Sequence, residues 1–288
     1  MTPTDARPTV GVVLVSMGNR PTELAKALET LAAQRGVALD AVLVGNGWEP
    51  TGIPEWVRPI FSPENLGCPE GRNLGARHVG GEFLFFYDDD AFLPEDDVLL
   101  RMTQRFDPSV AVVQPRGIDP DGKPTPRRWV PRLWGMRPGR AAVFWEALSM
   151  FRHSAFDQVG GWPGEFFFGH EGVDIAMRLL DAGWEIEYAP DIEACHPATA
   201  AARHDSHYFH TARNRVWVAR RNLPLPLLVA YLGVWMAATV VRSPRRDALR
   251  SWFKGFRAGW ATRPSGGRHP ISWKTVWTMT RLGRPPLW

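Results

Sequence analysis

The sequence contains few cysteines and nothing that resembles a secretory signal. Only two of the 288 residues are cysteine, Cys68 and Cys195, and they form no Cys-x-x-Cys pair. This excludes a disulfide-rich scaffold and a cysteine-based zinc site. Residues 1–8 show none of the features of a signal peptide. We therefore expect a protein of a reducing cytosol in which both thiols are ordinary buried side chains.

Acidic residues are almost absent from the last part of the chain. From Arg203 onward there are 16 Lys and Arg against two acids, a net charge of +14, whereas the preceding residues carry −10. Seven of the 14 tryptophans also lie in this basic part. Basic residues interleaved with tryptophan suit either nucleic acid or an anionic membrane surface. The asymmetry indicates two regions with different partners.

An uncharged stretch at residues 223–241 favours a membrane and argues against nucleic acid. Its 19 residues barely suffice to cross a bilayer, and Pro224 and Pro226 weaken the start of a helix. Arginines flank both sides, whereas a spanning helix has its basic excess on the cytoplasmic side. We therefore expect an interfacial or shallowly inserted helix. Residues 249–260 have the spacing of an amphipathic surface helix, and a helix packed into the core is the alternative.

A continuous apolar run, Phe83 to Tyr87, ends abruptly in three aspartates, Asp88, Asp89 and Asp90. Such a run is typical of a strand buried on both faces, and its end lies where a parallel sheet opens to a ligand cleft. Hard divalent cations bind carboxylate oxygens. The pattern favours a metal site, and a solvated acidic turn is the alternative.

Strands and helices alternate along the first two thirds of the chain. Strands are predicted at residues 10–15, 41–44, 83–87, 110–114 and 184–188. Helices are expected after the loop at Ser16, after the 65–73 loop and over residues 171–180, whereas residues 117–140 show no period and read as an irregular loop. This alternation predicts an α/β fold with a mostly parallel, doubly wound sheet and a ligand site at its carboxyl edge.

The order of several short motifs resembles the family 2 inverting glycosyltransferases of the GT-A fold, most closely bacterial rhamnosyl- and galactofuranosyltransferase-like members. The motifs are the Ser16 loop, Gly45-Asn46, the loop from Asn65 to Asn73, the triple aspartate, Gly160-Gly161-Trp162, residues 171–174 and His196. The resemblance covers residues 10–197. It implies a Rossmann-like GT-A nucleotide-sugar-binding and catalytic domain at residues 8–202. Residues 203–288 then form a basic, Trp-rich helical region that associates with the membrane surface.

The resemblance also implies roles for individual residues. Asp88, Asp90 and His196 would hold Mn²⁺ or Mg²⁺, with Asp88 also reaching the donor ribose and Asp89 in a supporting part. The remaining donor-binding residues implied are Ser16, Asn46, Arg72 and Asn73. Arg72 is suited to pair with the donor diphosphate, with an exposed surface arginine as the alternative, and Asn73 is expected to hold its loop.

Inversion needs a general base, and the chain departs from the family where that base is expected. Family members usually carry two adjacent acids and a third two positions later, but here Glu171 is followed by Gly172, and Asp174 is the next acid. Glu171 at the start of a helix is the preferred base. Asp174 is the second candidate, and an ion pair with Arg178 at i+4 is the alternative for it.

A second departure lies at Gly45, where family members commonly have an aspartate that binds the donor base. Its absence leaves the nucleotide open among UDP, dTDP and GDP.

The sequence therefore predicts a metal-dependent inverting hexosyl- or deoxyhexosyltransferase. Its acceptor would be a hydroxyl of a lipid-linked or cell-envelope glycan, and its place the cytoplasmic face of the cell membrane, as a peripheral or monotopic protein without a nucleic-acid partner. Two alternatives stay open: a Mg²⁺-dependent phosphohydrolase, and a non-catalytic membrane-surface binding protein on a degenerate transferase scaffold.

Overall fold

The computed structural model describes residues 7–132, 135–198, 206–242 and 246–287. Its strands are β1 (Thr9–Ser16), β2 (Ala38–Asn46), β3 (Val57–Ser62), β4 (Phe83–Asp88), β5 (Val110–Ile118), β6 (Gly139–Ala141), β7 (Met150–Arg152) and β8 (Glu185–Cys195). Its helices are α1 (Pro21–Ala32), α2 (Cys68–Ala76), α3 (Val98–Thr103), α4 (His153–Gln158), α5 (Glu171–Asp181), α6 (His207–Asn222), α7 (Leu225–Arg242), α8 (Arg246–Ala261) and α9 (Trp273–Arg281).

These strands form one sheet in the order β3-β2-β1-β4-β7-β5-β8-β6. Pairing is parallel between β3, β2, β1 and β4 and between β5 and β8, whereas β7 and β6 run antiparallel to their neighbours. Because β7 is antiparallel to both β4 and β5, those two strands point the same way. The ends of β1, β2, β4 and β8 therefore meet at one edge of the sheet, which confirms the predicted mostly parallel α/β architecture.

The apolar run of β4 is buried on both faces, as predicted. Leu84 and Phe86 pack into the core on one face, and Phe83, Phe85 and Tyr87 pack into the core on the other. The alternation follows from the two-residue period of a strand. The helices thus cover both sides of the sheet, and the aspartates that follow emerge at its open edge.

The structure differs from the sequence prediction at the short strands. β3 at the sheet edge was not predicted, because its central Pro59 and half-exposed side chains break the apolar pattern. The region expected to be an irregular loop contains the end of β5 and the start of β6. β8 continues beyond the predicted 184–188 to Cys195. Strands of three residues, such as β6 and β7, show no period that a sequence could reveal.

The C-terminal helices pack on the same core as the sheet. Val216 and Trp217 of α6, Tyr231 of α7 and Met279 of α9 all belong to the apolar cluster that includes Phe86. Among the described residues, no helix combines the length and the apolar character required to cross a bilayer. The proposed division between residues 202 and 203 lies outside the described residues and stays a prediction.

Candidate active site

A cavity of about 430 Å³ opens at the carboxyl ends of β1, β2 and β4. Seven of the side chains singled out from the sequence line it: Ser16, Asn46, Arg72, Asp88, Asp89, Asp90 and His196. Three others, Asn73, Glu171 and Asp174, are not among its lining residues. The sheet topology explains this gathering, because ligands bind where parallel strands end.

Asp88, Asp90 and His196 meet in one cluster. Nε2 of His196 lies 3.2 Å from Oδ1 of Asp90 and 3.5 Å from Oδ2 of Asp88. One ligand atom from each residue fits within 4.8 Å of the others. An antiparallel bridge between Phe92 and Cys195 brings the two chain segments together, with hydrogen bonds of 2.8 and 3.0 Å. Two carboxylates and an imidazole at these separations fit a divalent cation.

The imidazole of His196 is oriented by its surroundings. Its Nδ1 donates to the carbonyl oxygen of Pro197 at 2.9 Å, which turns Nε2 toward the aspartates. The rings of Trp129 and Trp145 stack on each other at 4.3 Å and both meet the imidazole edge-on. A metal-binding histidine commonly uses its second nitrogen in this way. The hydrogen bond from Nδ1 of His196 to Pro197 therefore supports the fit of the cluster to a cation.

Opposing influences act on the pKa values of Asp88 and His196. Burial acts to raise the pKa of Asp88, but Arg72 and His196 outweigh it and lower that pKa to about 2. Burial acts to lower the pKa of His196, but Asp88 and Asp90 raise it above its usual value. The cluster therefore combines a firmly ionised carboxylate with an imidazole that its neighbours favour as a cation.

Arg72 is buried, so the alternative of an exposed surface arginine is wrong. Its Nη2 donates to Oδ1 of Asp88 at 2.8 Å, and the guanidinium lies 5.3 Å from the ring centre of Trp162. Nη1 has no hydrogen-bond partner among the described residues. Arg72 lines the cavity, and a guanidinium that has an unpaired N–H is suited to bind an anionic group.

Arg20 is a site residue that sequence reasoning missed. Its Nη1 donates to Oδ2 of Asp90 at 2.5 Å and to Oδ1 of Asp89 at 3.1 Å. Ser16 donates from Oγ to Oδ2 of Asp89 at 2.6 Å, so Asp89 is held from the end of β1. The available signal was the position of Arg20 in the loop after β1, at the ligand edge of the sheet.

Asn46 ties together the loops beside the cavity. Its Nδ2 donates to Oδ1 of Asn65 at 3.0 Å, and its Oδ1 accepts from the backbone of Leu66 at 2.7 Å. The preceding Gly45 has no room for a side chain, because a Cβ there would lie 1.9 Å from the carbonyl oxygen of Trp48. The chain path at Trp48 therefore leaves no room for an aspartate side chain at residue 45.

Asn73 holds a loop, as the resemblance suggests, but at a distance from the cavity lining. Its Nδ2 donates to the carbonyl oxygen of Trp162 at 2.9 Å, and its Oδ1 accepts from the Trp162 backbone at 3.0 Å. These contacts fix the segment around Gly161 against α2. The hydrogen bonds of the Asn73 side chain are therefore made to other residues of the protein, away from the cavity lining.

The loop before α5 reaches the cavity through Phe167 and Phe168. Phe167 has a positive φ of 63°, an uncommon conformation for a bulky residue. The buried Asn214 of α6 donates from Nδ2 to the carbonyl oxygens of Phe166, Phe168 and Gly169, at 2.7 to 3.0 Å. Helix α6 thereby positions the loop that leads to Glu171, a connection that the sequence did not reveal.

Glu171 and Asp174 have different environments although both lie in the first turn of α5. Oε2 of Glu171 is buried without a partner in the described part of the chain. Asp174 is fully buried and accepts from Arg178 at 2.8 Å and from Asn222 at 2.7 Å. The ion pair with Arg178, offered as the alternative from sequence, is therefore present.

The sequence is similar to several known glycosyltransferases. N-acetylglucosaminyl-diphospho-decaprenol L-rhamnosyltransferase of Mycobacterium tuberculosis is 33% identical over 129 residues, which cover 40% of this chain and 42% of that protein. Pre-mycofactocin glycosyltransferase of the same organism is 26% identical over 204 residues, 67% of this chain and 39% of the relative. The chain thus spans about two fifths of the length of these curated relatives.

Solved structures share the fold at low sequence identity. Mannosyltransferase PcManGT from Pyrobaculum calidifontis, in complex with GDP-Man and Mn²⁺, superposes with a TM-score of 0.57 at 18% identity, covering 98% of this chain and 88% of that one. The sequence model of Glycosyl transferase family 2 matches residues 12–160, more than half of the chain. Together with the sheet order and the site at its edge, this match shows that the chain belongs to glycosyl transferase family 2.

Proposed function

We propose that this protein is an inverting, metal-dependent glycosyltransferase that moves a hexosyl or deoxyhexosyl group from a nucleotide-diphosphate donor to an acceptor hydroxyl. The observation that carries the proposal is the Asp88, Asp90 and His196 cluster beside the buried Arg72 in one cavity. These groups offer a cation site and a guanidinium to a diphosphate. Family membership supplies the reaction class.

Asp88, Asp90 and His196 would hold the cation, Mn²⁺ or Mg²⁺. When bound, such a cation supplies Lewis-acid stabilisation of the charge on the departing diphosphate. The chain itself contributes Arg72, whose Nη1 has no partner in the described structure and is suited to bind a diphosphate oxygen. Ser16 fixes Asp89 in the lining of the cavity that would bind the donor.

Glu171 is proposed as the general base. The acceptor oxygen forms its bond to the anomeric carbon, its proton passes to a Glu171 oxygen, and the bond to the diphosphate oxygen breaks with its electron pair on the leaving group. Asp174 is not proposed in this role, because Arg178 and Asn222 already engage its oxygens.

Donor and acceptor are proposed by class. Ser16, Asn46, Arg72, Asp88 and Asp89 would contact a UDP-, dTDP- or GDP-linked sugar, and Asn73 would support the site through its loop. GDP-Man bound to PcManGT supports a nucleotide-sugar donor in general. The rhamnosyltransferase named for N-acetylglucosaminyl-diphospho-decaprenol supports a lipid-linked or cell-envelope glycan acceptor.

Residues 203–288 are proposed to hold the enzyme at the cytoplasmic face of the membrane, as a peripheral or monotopic protein. Leu225, Val229 and Val240 of α7 are exposed at positions that share one side of the helix. On α8, Phe253 and Trp260 are exposed among basic side chains, while Trp252 is buried, so part of this helix packs into the protein. Basic residues near anionic lipid contribute about 1 kcal/mol each.

Nucleotide release from a panel of sugar nucleotides tests the catalytic proposal. We expect one UDP-, dTDP- or GDP-sugar to be consumed in the presence of Mn²⁺ or Mg²⁺, with no release in chelator. Preference for simple phosphomonoesters would indicate a phosphohydrolase, and binding without turnover would indicate a non-catalytic protein. Activity that persists in chelator would contradict the metal dependence.

Sedimentation with vesicles of anionic lipid tests the membrane proposal. Trp273 and Trp277 of α9 are exposed, and the double variant W273S/W277S should bind vesicles at least tenfold more weakly. W56S is the matched control, because Trp56 is also exposed but lies before the sheet strand β3. Equal binding to neutral and anionic vesicles would contradict the proposed charge attraction.

A further inference from the structure

The space that a side chain at residue 172 would take is filled by a side chain from elsewhere in the protein. Gly172 is the second residue of α5, and a Cβ built there would lie 2.3 Å from Oε1 of Glu146 and 2.6 Å from its Cδ. The backbone N–H of Gly172 donates to that same Oε1 at 3.0 Å. The carboxylate of Glu146 therefore occupies the volume that a side chain at residue 172 would take.

The buried Glu171 and the partly buried Glu146 form a pair of neighbouring carboxyl groups. Burial and the charge of Glu146 raise the pKa of Glu171 to about 7, and burial likewise raises the pKa of Glu146. The other charged or titratable groups that act on Glu171 or on Glu146 are Arg72, Asp88 and Cys68. Two carboxylates that share one buried site tend to keep one proton between them.

We propose that Glu146 supplies, from the segment before β7, the second carboxylate of the catalytic site, at the place left open by Gly172. The sequence departs from its family by lacking an acid directly after Glu171, and the structure offers that acid from 26 residues earlier in the chain. Glu146 is a positioning residue, because it acts through Glu171. The inference rests on the proposed function, in which Glu171 takes the acceptor proton.

The arrangement has a chemical consequence for the base. A second carboxylate beside Glu171 raises the affinity of Glu171 for a proton, which makes it a stronger base at neutral pH. Oε2 of Glu171 is buried and has no hydrogen-bond partner within the described ranges, so one of its lone pairs is left for a proton. A purely structural Glu146 would only cap the first turn of α5 and would leave the proton affinity of Glu171 unchanged.

The first experiment removes the charge of Glu146 and keeps its shape. In E146Q the pKa of Glu171, followed by carbon NMR of labelled glutamate in the metal-free protein, should fall by about one unit or more. The acid limb of the kcat/KM profile should move to lower pH, and kcat should fall about tenfold. An unchanged pKa and an unchanged profile in folded E146Q would overturn the proposal.

The second experiment moves the acid along the chain. G172D should lose activity because its Cβ displaces Glu146, and E146A should lose activity because the charge is gone. The double variant E146A/G172D should recover at least tenfold over either single variant. A double variant no better than the singles, although folded by circular dichroism, would contradict the exchange of positions.

A third measurement separates this inference from the proposed function. G172A should be destabilised in the otherwise unchanged chain and far less so in E146A, as measured by urea unfolding. If the chain releases no nucleotide from any donor, the proposed function fails. The NMR titration and this unfolding cycle still test whether Glu146 lies beside Glu171 and fills the space at Gly172. If the effects of G172A and E146A on the free energy of unfolding simply add, the proposed contact between Glu146 and residue 172 is overturned.

Discussion

Nε2 of His196 lies 3.2 Å from Oδ1 of Asp90, although the two residues follow different strands. The hydrogen-bonded bridge of Phe92 with Cys195 holds the two segments together. Arg20 occupies the other oxygen of the same carboxylate at 2.5 Å. The Asp90 carboxylate is therefore shared between an imidazole and a guanidinium, and each contact comes from a different strand end.

Removal of the His196 imidazole should weaken cation binding. In H196A we expect the affinity for Mn²⁺ to fall about tenfold or more, since one of three clustered ligands is lost, and donor hydrolysis to fall with it. Titration of Mn²⁺ followed by electron paramagnetic resonance measures the affinity. H78A is the control, because His78 is exposed and the hydrogen bond of its imidazole in the described structure is to the carbonyl oxygen of Leu74. Equal losses in both variants would contradict the prediction.

The two acids of α5 should respond differently to loss of charge. E171Q should lower kcat by about 10²- to 10⁴-fold, the range for removal of a general base, with little loss of stability. D174N should instead destabilise the fold, by about 3 kcal/mol or more, because it breaks the buried pairing with Arg178 and Asn222. Urea unfolding and steady-state kinetics separate the two effects. A stable D174N with kcat reduced a hundredfold would reverse the assignment.

Stability should depend on the ionisation of Glu171. Its pKa rises on folding from 4.5 to about 7, through burial and the neighbouring Glu146. Between these values the folded protein binds more protons than the unfolded chain, so the free energy of unfolding should fall as pH rises from about 4.5 to 7. E171Q should show a flatter dependence in parallel urea titrations in chelator. Identical slopes for the two proteins would contradict the shifted pKa.

The rate of glycosyl transfer should also rise as the pH increases toward about 7, because Glu171 ionises in the folded protein near that pH. A base must be ionised before it accepts a proton, so kcat/KM should increase with pH and level off above about 7. A profile for the unchanged enzyme that is flat from pH 5 to 8 would argue against Glu171 as the base. The measurement uses a constant, saturating Mn²⁺ concentration at every pH.

An aspartate at residue 45, where the family commonly has one, should not be accommodated. In G45D the Cβ would lie 1.9 Å from the Trp48 carbonyl oxygen, and we expect a loss of about 3 kcal/mol or more in the free energy of unfolding. G233A in the exposed face of α7 has open space around its Cβ and should gain about 1 kcal/mol. Thermal unfolding measures both, and a G45D protein as stable as the parent would show that the loop adapts.

The main strands and the acidic end of β4 could be predicted from local pattern. A run of apolar residues from Phe83 to Tyr87 identifies a strand buried on both faces whatever its neighbours are. Short strands such as β7 pair only because longer strands on either side present free backbone groups. Arg20 and Glu146 were missed because a single charged residue outside the regular strands and α-helices carries no periodic signal.

What the sequence determined by itself was the order of the main strands and helices and the presence of Asp88 to Asp90 at a strand end. Local side-chain pattern decides those features, since alternation and apolar runs act over a few residues. Only the tertiary structure decided that His196 meets Asp90, that Trp48 excludes a side chain at Gly45, and that Glu146 fills the space at Gly172. Those contacts join segments far apart in the chain, and close packing of the folded backbone determines them.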